Sequence, residues 1–151
     1  MSARLPAAAA AAGLATLVVG LFLPWFRSGA VLRDSFESVG VIRTLGFLRG
    51  TGWAWLPTAW FSLVPVVTLC VAAYALGLRR TSATLCLVVT ILSGTVAGGA
   101  AVGQGSGDSS LGIAGTGPTT TAVGAVIAVV GAVGVLVGER RSARREAGGE
   151  Q

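Results

Sequence analysis

Four apolar stretches, Leu5 to Phe26, Pro57 to Leu78, Ser82 to Gly103 and Pro118 to Gly138, occupy most of the chain, and none contains Asp, Glu, Lys, Arg or His. As helices rising 1.5 Å per residue, each would extend roughly 33 Å, enough to cross a hydrocarbon core about 30 Å thick. The pattern predicts an all-α fold: a four-helix transmembrane bundle forming a single membrane domain over residues 1–151, with loops over 27–56 and 104–117 and a tail over 139–151. Charged residues are 11% of the chain and hydrophobic residues 53%. Soluble domains carry roughly 25% charge, so a water-soluble core is not a competing reading.

The net charge of +5 would suit nucleic acid, but in a membrane protein basic residues first report topology, because short loops rich in Lys and Arg stay cytoplasmic. Arg4, Arg79, Arg80, Arg140, Arg141, Arg144 and Arg145 fall on one side of the bundle, and Arg27, Arg33, Arg43 and Arg49 on the other. The asymmetry predicts both termini in the cytoplasm, and the use of Arg without Lys beside an Ala, Gly and Val bias suits a GC-rich bacterial genome, so the expectation is a bacterial plasma-membrane protein with no nucleic-acid partner. Trp25, Phe26, Trp53, Trp55, Trp60 and Phe61 then gather at the outer interface, where amphipathic rings anchor at headgroup level. Ser28-Gly29-Ala30 has the small residues of a signal-peptide cleavage site. The apolar run before it is longer than an h-region and ends in Pro24-Trp25-Phe26, so the first stretch reads as a retained span.

Between helices in lipid there is no hydrophobic drive, and small residues that admit close backbone approach take its place. Gly94-xxx-Gly98 marks the third stretch. Gly124, Ala128, Gly131 and Gly138 share a face of the fourth, with Gly134-xxx-Gly138 beside it, and Ala9-xxx-Gly13 lies in the first. Gly94, Gly98, Gly124, Gly131, Gly134 and Gly138 are therefore candidate packing positions, within the bundle or in a homo-oligomer. Intramembrane hydroxyls such as Thr68, Thr90, Ser93 and Thr95 can bond back to a carbonyl one turn earlier. Pro65 predicts a kink in the second stretch. Cys70 and Cys86 lie at similar depth on a hairpin, and read as buried thiols packed like small apolar side chains.

The loop over 27–56 is the richest segment. Asp34 followed by Glu37 resembles a capping pair, and no Pro interrupts the run to Leu48, predicting a short external amphipathic helix. Phe36, Arg43, Phe47, Trp53 and Trp55 are the candidate interaction residues, facing a membrane-protein partner or lipid headgroups. The loop over 104–117 is Gly/Ser-rich and is expected to be flexible.

The run Phe22-Leu23-Pro24-Trp25-Phe26-Arg27-Ser28-Gly29, with Arg33-Asp34-Ser35-Phe36, Arg43, Leu45-Gly46 and Gly115-Thr116-Gly117-Pro118, resembles small four-span integral membrane proteins of actinobacteria, a functionally uncharacterised group. The layout is also similar to animal tetraspan junction proteins, without their paired loop cysteines. The resemblance implies a topology and no activity.

Enzyme chemistry has little to work with: the chain has no His, no embedded acid pair and no nucleophile beside a base. No cofactor or metal is implied. The expected role is a non-catalytic scaffolding, stabilising or regulatory subunit of a membrane or envelope complex. The alternative is a small transporter or pore subunit acting as an oligomer, which would have to obtain its polar path from other copies.

Overall fold

Ala7 to Ala12 is an unbroken run of the best helix former, which gives up no side-chain entropy on ordering. It forms the body of helix α1 (Arg4–Phe22), in the computed structural model that describes residues 4–28, 30–45, 50, 52, 54–102 and 111–148. Pro6 sits in the first turn, where a missing N–H costs nothing. The other helices are α2 (Ser35–Leu45), α3 (Leu56–Phe61), α4 (Leu63–Ala75), α5 (Arg79–Val102) and α6 (Thr116–Gly148). Three short strands, β1 (Phe26–Ser28), β2 (Val31–Arg33) and β3 (Leu111–Ile113), join into one antiparallel sheet of order β2-β1-β3. The chain is thus mostly helical, with a sheet that hydropathy did not predict.

Three helices, α1 over Leu5–Phe22, α5, and α6 over Thr116–Arg141, are long and apolar enough to cross a membrane. Their outward faces carry Val19, Val88, Ile91, Leu92, Val126 and Val130 exposed, while Ala97, Ala125, Ala128, Ala132, Ser93 and Thr121 are buried. Leu14, Leu17 and Leu21 of α1 and Val89 of α5 are buried as well, so the interior mixes small and large side chains, while the exposed faces are rich in large apolar ones, which suits a lipid solvent.

The helices neighbour one another in the order α1, α6, α5, α4, and α1 meets α4 only slightly. The α1–α6 pair is antiparallel and the closest. A Cβ placed on Gly131 would strike the backbone of Ala10, one on Gly124 that of Leu17, and one on Gly20 that of Thr121. On α6 the seam reads Gly117, Thr121, Gly124, Ala128, Gly131, and on α1 it reads Pro6, Ala10, Gly13, Leu17, Gly20. Both alternate steps of four and three, the spacing of a left-handed antiparallel pair. In place of Gly side chains, Cα hydrogens point at carbonyl oxygens: a Cβ on Gly124 would lie 2.8 Å from Gly13 O, and one on Gly131 2.8 Å from Pro6 O. Contacts of that kind contribute about 0.5–1 kcal/mol each.

Several expected boundaries move, each for a local reason. The first span stops at Phe22 rather than Phe26, because the residue before Pro24 is pushed out of the helical region and Trp25 turns back on the helix end. The second is broken at Ser62. Pro65 has no N–H to donate to Phe61 O and its ring crowds that carbonyl; the turn before it tightens, Ser62 N donating to Ala59 O at 3.0 Å, and the ladder resumes with Val66 N donating to Ser62 O at 3.0 Å. It ends at Ala75, before the expected Leu78, in a Schellman cap: Gly77 at φ +82°, Leu78 N donating to Ala73 O at 2.9 Å and Gly77 N to Tyr74 O at 3.0 Å. The residues after Gly138, expected as a tail, continue α6 to Gly148, since Glu139 to Ala147 is made almost entirely of strong helix formers. Residues 103–110 lie outside the described residues, but the end of that loop, expected to be flexible, is strand β3.

The intramembrane hydroxyls mostly bond within their own helices: Thr68 Oγ1 donates to Val64 O at 3.0 Å, Ser93 Oγ to Val89 O at 2.7 Å and Thr95 Oγ1 to Ile91 O at 2.7 Å. Ser82 differs. Its Oγ donates across to Cys70 O on α4 at 2.7 Å, tying the α4–α5 hairpin; such bonds contribute about 0.6 kcal/mol on average in a membrane. Cys70 and Cys86 are free and buried.

Gly77→Ala is expected to destabilise the protein by about 1–2 kcal/mol, because a Cβ is disfavoured in the left-handed region. Gly98→Ala, in a helix with nothing within 4 Å of the added carbon, should instead be neutral or stabilising by up to about 1 kcal/mol. Denaturant unfolding in detergent, followed by far-UV circular dichroism, measures both.

Candidate interaction surface

The end of the bundle where α1 finishes and α6 begins is built as a cap. Pro24 and Trp25 terminate α1, and the Trp25 indole is drawn in: its Nε1 donates to Gly20 O at 2.9 Å, a last-turn carbonyl that also accepts the longer bond from Leu23 N at 3.3 Å. Space for the ring comes from Gly117, where a Cβ would collide with the indole. Trp25 backbone N donates to Arg33 O at 2.8 Å, Ala114 N donates to Trp25 O at 2.9 Å, and Gly117 N donates to Pro24 O at 3.0 Å. One short segment thereby fastens the end of α1, the start of α2 and the start of α6.

β1 is the central strand, Phe26 lying opposite Arg33 on one side and Ile113 on the other, and Arg27 opposite Leu32 and Gly112. Beside the sheet, α2 begins with Asp34 as its cap: Glu37 N donates to Asp34 Oδ1 at 2.8 Å. Phe36 is half-buried between Phe22, at a ring-centre distance of 5.2 Å, and Phe61 at 5.8 Å, so the aromatic row joins α1, α2 and α3. Trp25 and Trp60 meet edge to face at 5.4 Å, a contact contributing about 0.5–1.5 kcal/mol beyond area burial.

These positions correct the reading of the tryptophans. Trp25 and Trp60 are buried in protein rather than anchored at a lipid interface. Trp55 stays exposed at 53%, and Trp53 and Phe47 lie outside the described residues. Arg43 is exposed on α2. Phe36 serves the aromatic row, so it is a packing residue more than a contact for a partner. Of the candidate glycines, Gly94 faces Ala125 Cβ across α5–α6, Gly124 and Gly131 face α1, and Gly134 faces Pro6 Cβ at 2.8 Å; Gly98 and Gly138 meet nothing within 4 Å. Within one chain, those two therefore do not pack against a neighbouring helix.

What hydropathy did not mark is a broad groove of about 770 Å³ over the sheet, lined by Pro24, Arg27, Leu32, Ile113, Thr116 and Thr120 among others. Its walls are mixed: the Arg27 side chain, threonine hydroxyls, and the exposed side chains of Leu32 (55%) and Ile113 (38%). Val31, also on β2, is exposed at 55%. A surface of this kind is suited to contacts that combine apolar area with hydrogen bonding, and among the described residues no three His, Cys, Asp or Glu side chains group to hold a metal. The sequence signal for the hairpin is the Gly29-Ala30 pair, a Gly-first two-residue loop, between Phe26-Arg27-Ser28 and Val31-Leu32-Arg33.

No family model matches the chain, and neither a curated protein nor a solved structure is significantly similar to it. The cap's geometry is accordingly the ground on which a function is argued.

Trp25→Phe keeps an aromatic ring beside Trp60 but removes the hydrogen bond to Gly20 O and the indole atoms packed over Gly117. The expected loss is at least about 0.5–1.5 kcal/mol, the share of the hydrogen bond, with faster amide exchange at the end of α1 and in β1 than in the middle of α6. Hydrogen–deuterium exchange with mass spectrometry reads both segments.

Proposed function

We propose that this protein is a non-catalytic, four-span subunit of a bacterial plasma membrane, with both termini cytoplasmic, that scaffolds, stabilises or regulates a larger membrane or envelope complex through its cap. The fourth crossing in this reading is α3 and α4 together, which extend roughly 30 Å along a kinked axis. Arg79, Arg80, Arg140 and Arg141 at the end away from the cap support the orientation, by the tendency of short basic segments to remain inside.

The observation that carries the proposal is the cap itself. Three chain segments are fastened to one strand and an aromatic row, yet the sheet ends by exposing Val31, Leu32 and Ile113 around a groove with Arg27 in its wall. Rigid support beneath exposed apolar side chains is the composition of a docking site, in which preorganisation reduces what association costs. The charge-free spans argue against a solute path through one copy, and the hydroxyls of Thr68, Ser93 and Thr95 are already bonded within their helices.

Extraction in a mild detergent followed by native mass spectrometry tests the reading. A second membrane protein in fixed stoichiometry is expected, released by Leu32→Asp or Ile113→Asp while the helical circular dichroism signal is retained. A lone monomer under every extraction condition, or a complex indifferent to both substitutions, contradicts it. Solute flux in vesicles containing this chain alone would favour a transport role instead.

A further inference from the structure

At the end of the bundle away from the cap, a second cavity of about 240 Å³ lies between α1, α4, α5 and α6. Its origin is legible in side-chain size. The α1 wall is Ala7, Ala8, Ala10 and Ala11 with Leu14 at its inner end, the opposite walls include Ala83 and Ala132, and α1 barely touches α4. Four helices drawn together by the α1–α6 and α5–α6 contacts leave one side of the ring unfilled, because four of the five α1 side chains there are single methyl groups.

We propose that this cavity binds one acyl chain of an anionic phospholipid, taken from the leaflet on the Arg79–Arg80 side. The lining is almost wholly apolar. Ser82 Oγ is committed to Cys70 O at 2.7 Å, which leaves the Tyr74 hydroxyl as the remaining strongly polar side-chain group there. A bound water needs two to four polar partners, so the site selects a hydrocarbon. An apolar cavity of roughly 150 Å³ accommodates benzene, and about 240 Å³ therefore accommodates a longer hydrocarbon segment. Entry is lateral: Ala8, Ala11 and Val71, the last 53% exposed, form the rim between α1 and α4 and face the surface a bilayer would wet.

Charge at the cavity's end supplies the headgroup preference. One turn beyond Ser82 and Val135, Arg79 Nη1 pairs with Glu139 Oε1 at 3.4 Å, bridging α5 and α6 and closing that end. Neighbouring Arg80 and, past Glu139, Arg140 and Arg141 are exposed, so positive charge exceeds the single acid at this level. A lipid phosphate beside Arg80, with its glycerol near Tyr74 and one chain between α1 and α4, places each part of the molecule against matching chemistry.

The full-length chain, reconstituted in vesicles containing trace phosphatidylglycerol with a photoreactive diazirine midway along one acyl chain, tests this by mapping the crosslinked residues. Capture is expected to concentrate on residues 7–14, 70–74 and 82–86 over the lipid-facing positions Val126 and Val130, and to be competed by unlabelled phosphatidylglycerol more strongly than by chain-matched phosphatidylcholine. Ala11→Phe and Val71→Trp, which fill the rim from opposite sides and leave the α1–α6 seam alone, should each cut capture severalfold without changing the helical signal. Arg80→Gln should reduce the preference for the anionic lipid about fivefold, the effect of one basic residue near a charged headgroup. Even labelling around the whole bundle, or capture unaffected by both filling variants, overturns the proposal. Equal competition by phosphatidylcholine overturns the assignment of an anionic lipid.

Discussion

The contact on which the rest of the structure depends is the backbone-to-backbone approach of α1 and α6. In lipid, two helices gain nothing by hiding apolar surface from each other, and association has to come from dispersion and short polar contacts that operate only at close range. Gly13, Gly20, Gly124 and Gly131 remove the side chains that would hold the axes apart, and each meets partner backbone, joined at Gly20 by the Thr121 hydroxyl and at Gly13 by the Ala128 methyl. A methyl group at any of them has no space to enter. This differs from Gly94, whose neighbour is a single Ala125 methyl, and from the α4–α5 hairpin, where the Ser82 hydroxyl bond and a short turn set the pairing.

Two features follow from that seam. At one end it brings the last turn of α1 beside the first turn of α6, so that Trp25 reaches over Gly117 and the strands around Phe26 have ends to fasten. At the other it draws the two helices together while the alanine face of α1 remains turned towards α4, leaving the apolar cavity. The cap is thus where the protein offers mixed chemistry, and the cavity where it offers hydrocarbon chemistry. The helical stretches between them carry no Asp, Glu, Lys, Arg or His.

Although the second apolar stretch is divided into α3 and α4, three helices long and apolar enough to cross a membrane were legible from hydropathy, because period and length survive any detail of packing. So were the Asp34 cap, the Pro65 break and the back-bonded hydroxyls, since each is decided within about one turn of chain. The sheet was not. Its strands are three residues each, and β3 comes from a segment more than eighty residues distant from β1, so its pairing depends on where α1 and α6 bring their ends. Trp25 and Trp60 were misplaced for the same reason: at the end of a span, an indole that anchors in lipid and one that caps a helix look alike in sequence. The groove over the sheet had no signal of its own. The seam was half visible, in Gly124 and Gly131 on one helix and Ala9-xxx-Gly13 on the other, but Gly20 stands alone after Leu17-Val18-Val19 and has no Gly or Ala four positions away to mark it.

The most direct test of the account is a Gly→Ala scan of every described helical glycine, reading unfolding temperature in a fixed detergent. The account predicts that Gly13, Gly20, Gly124 and Gly131 each lose several degrees, consistent with overpacking costs of about 1–3 kcal/mol. Gly40, Gly98, Gly99 and Gly138, with nothing within 4 Å of the added carbon, should be unchanged or slightly raised by their better helix propensity. If the two groups respond alike, the close approach of α1 and α6 is not what holds this protein together.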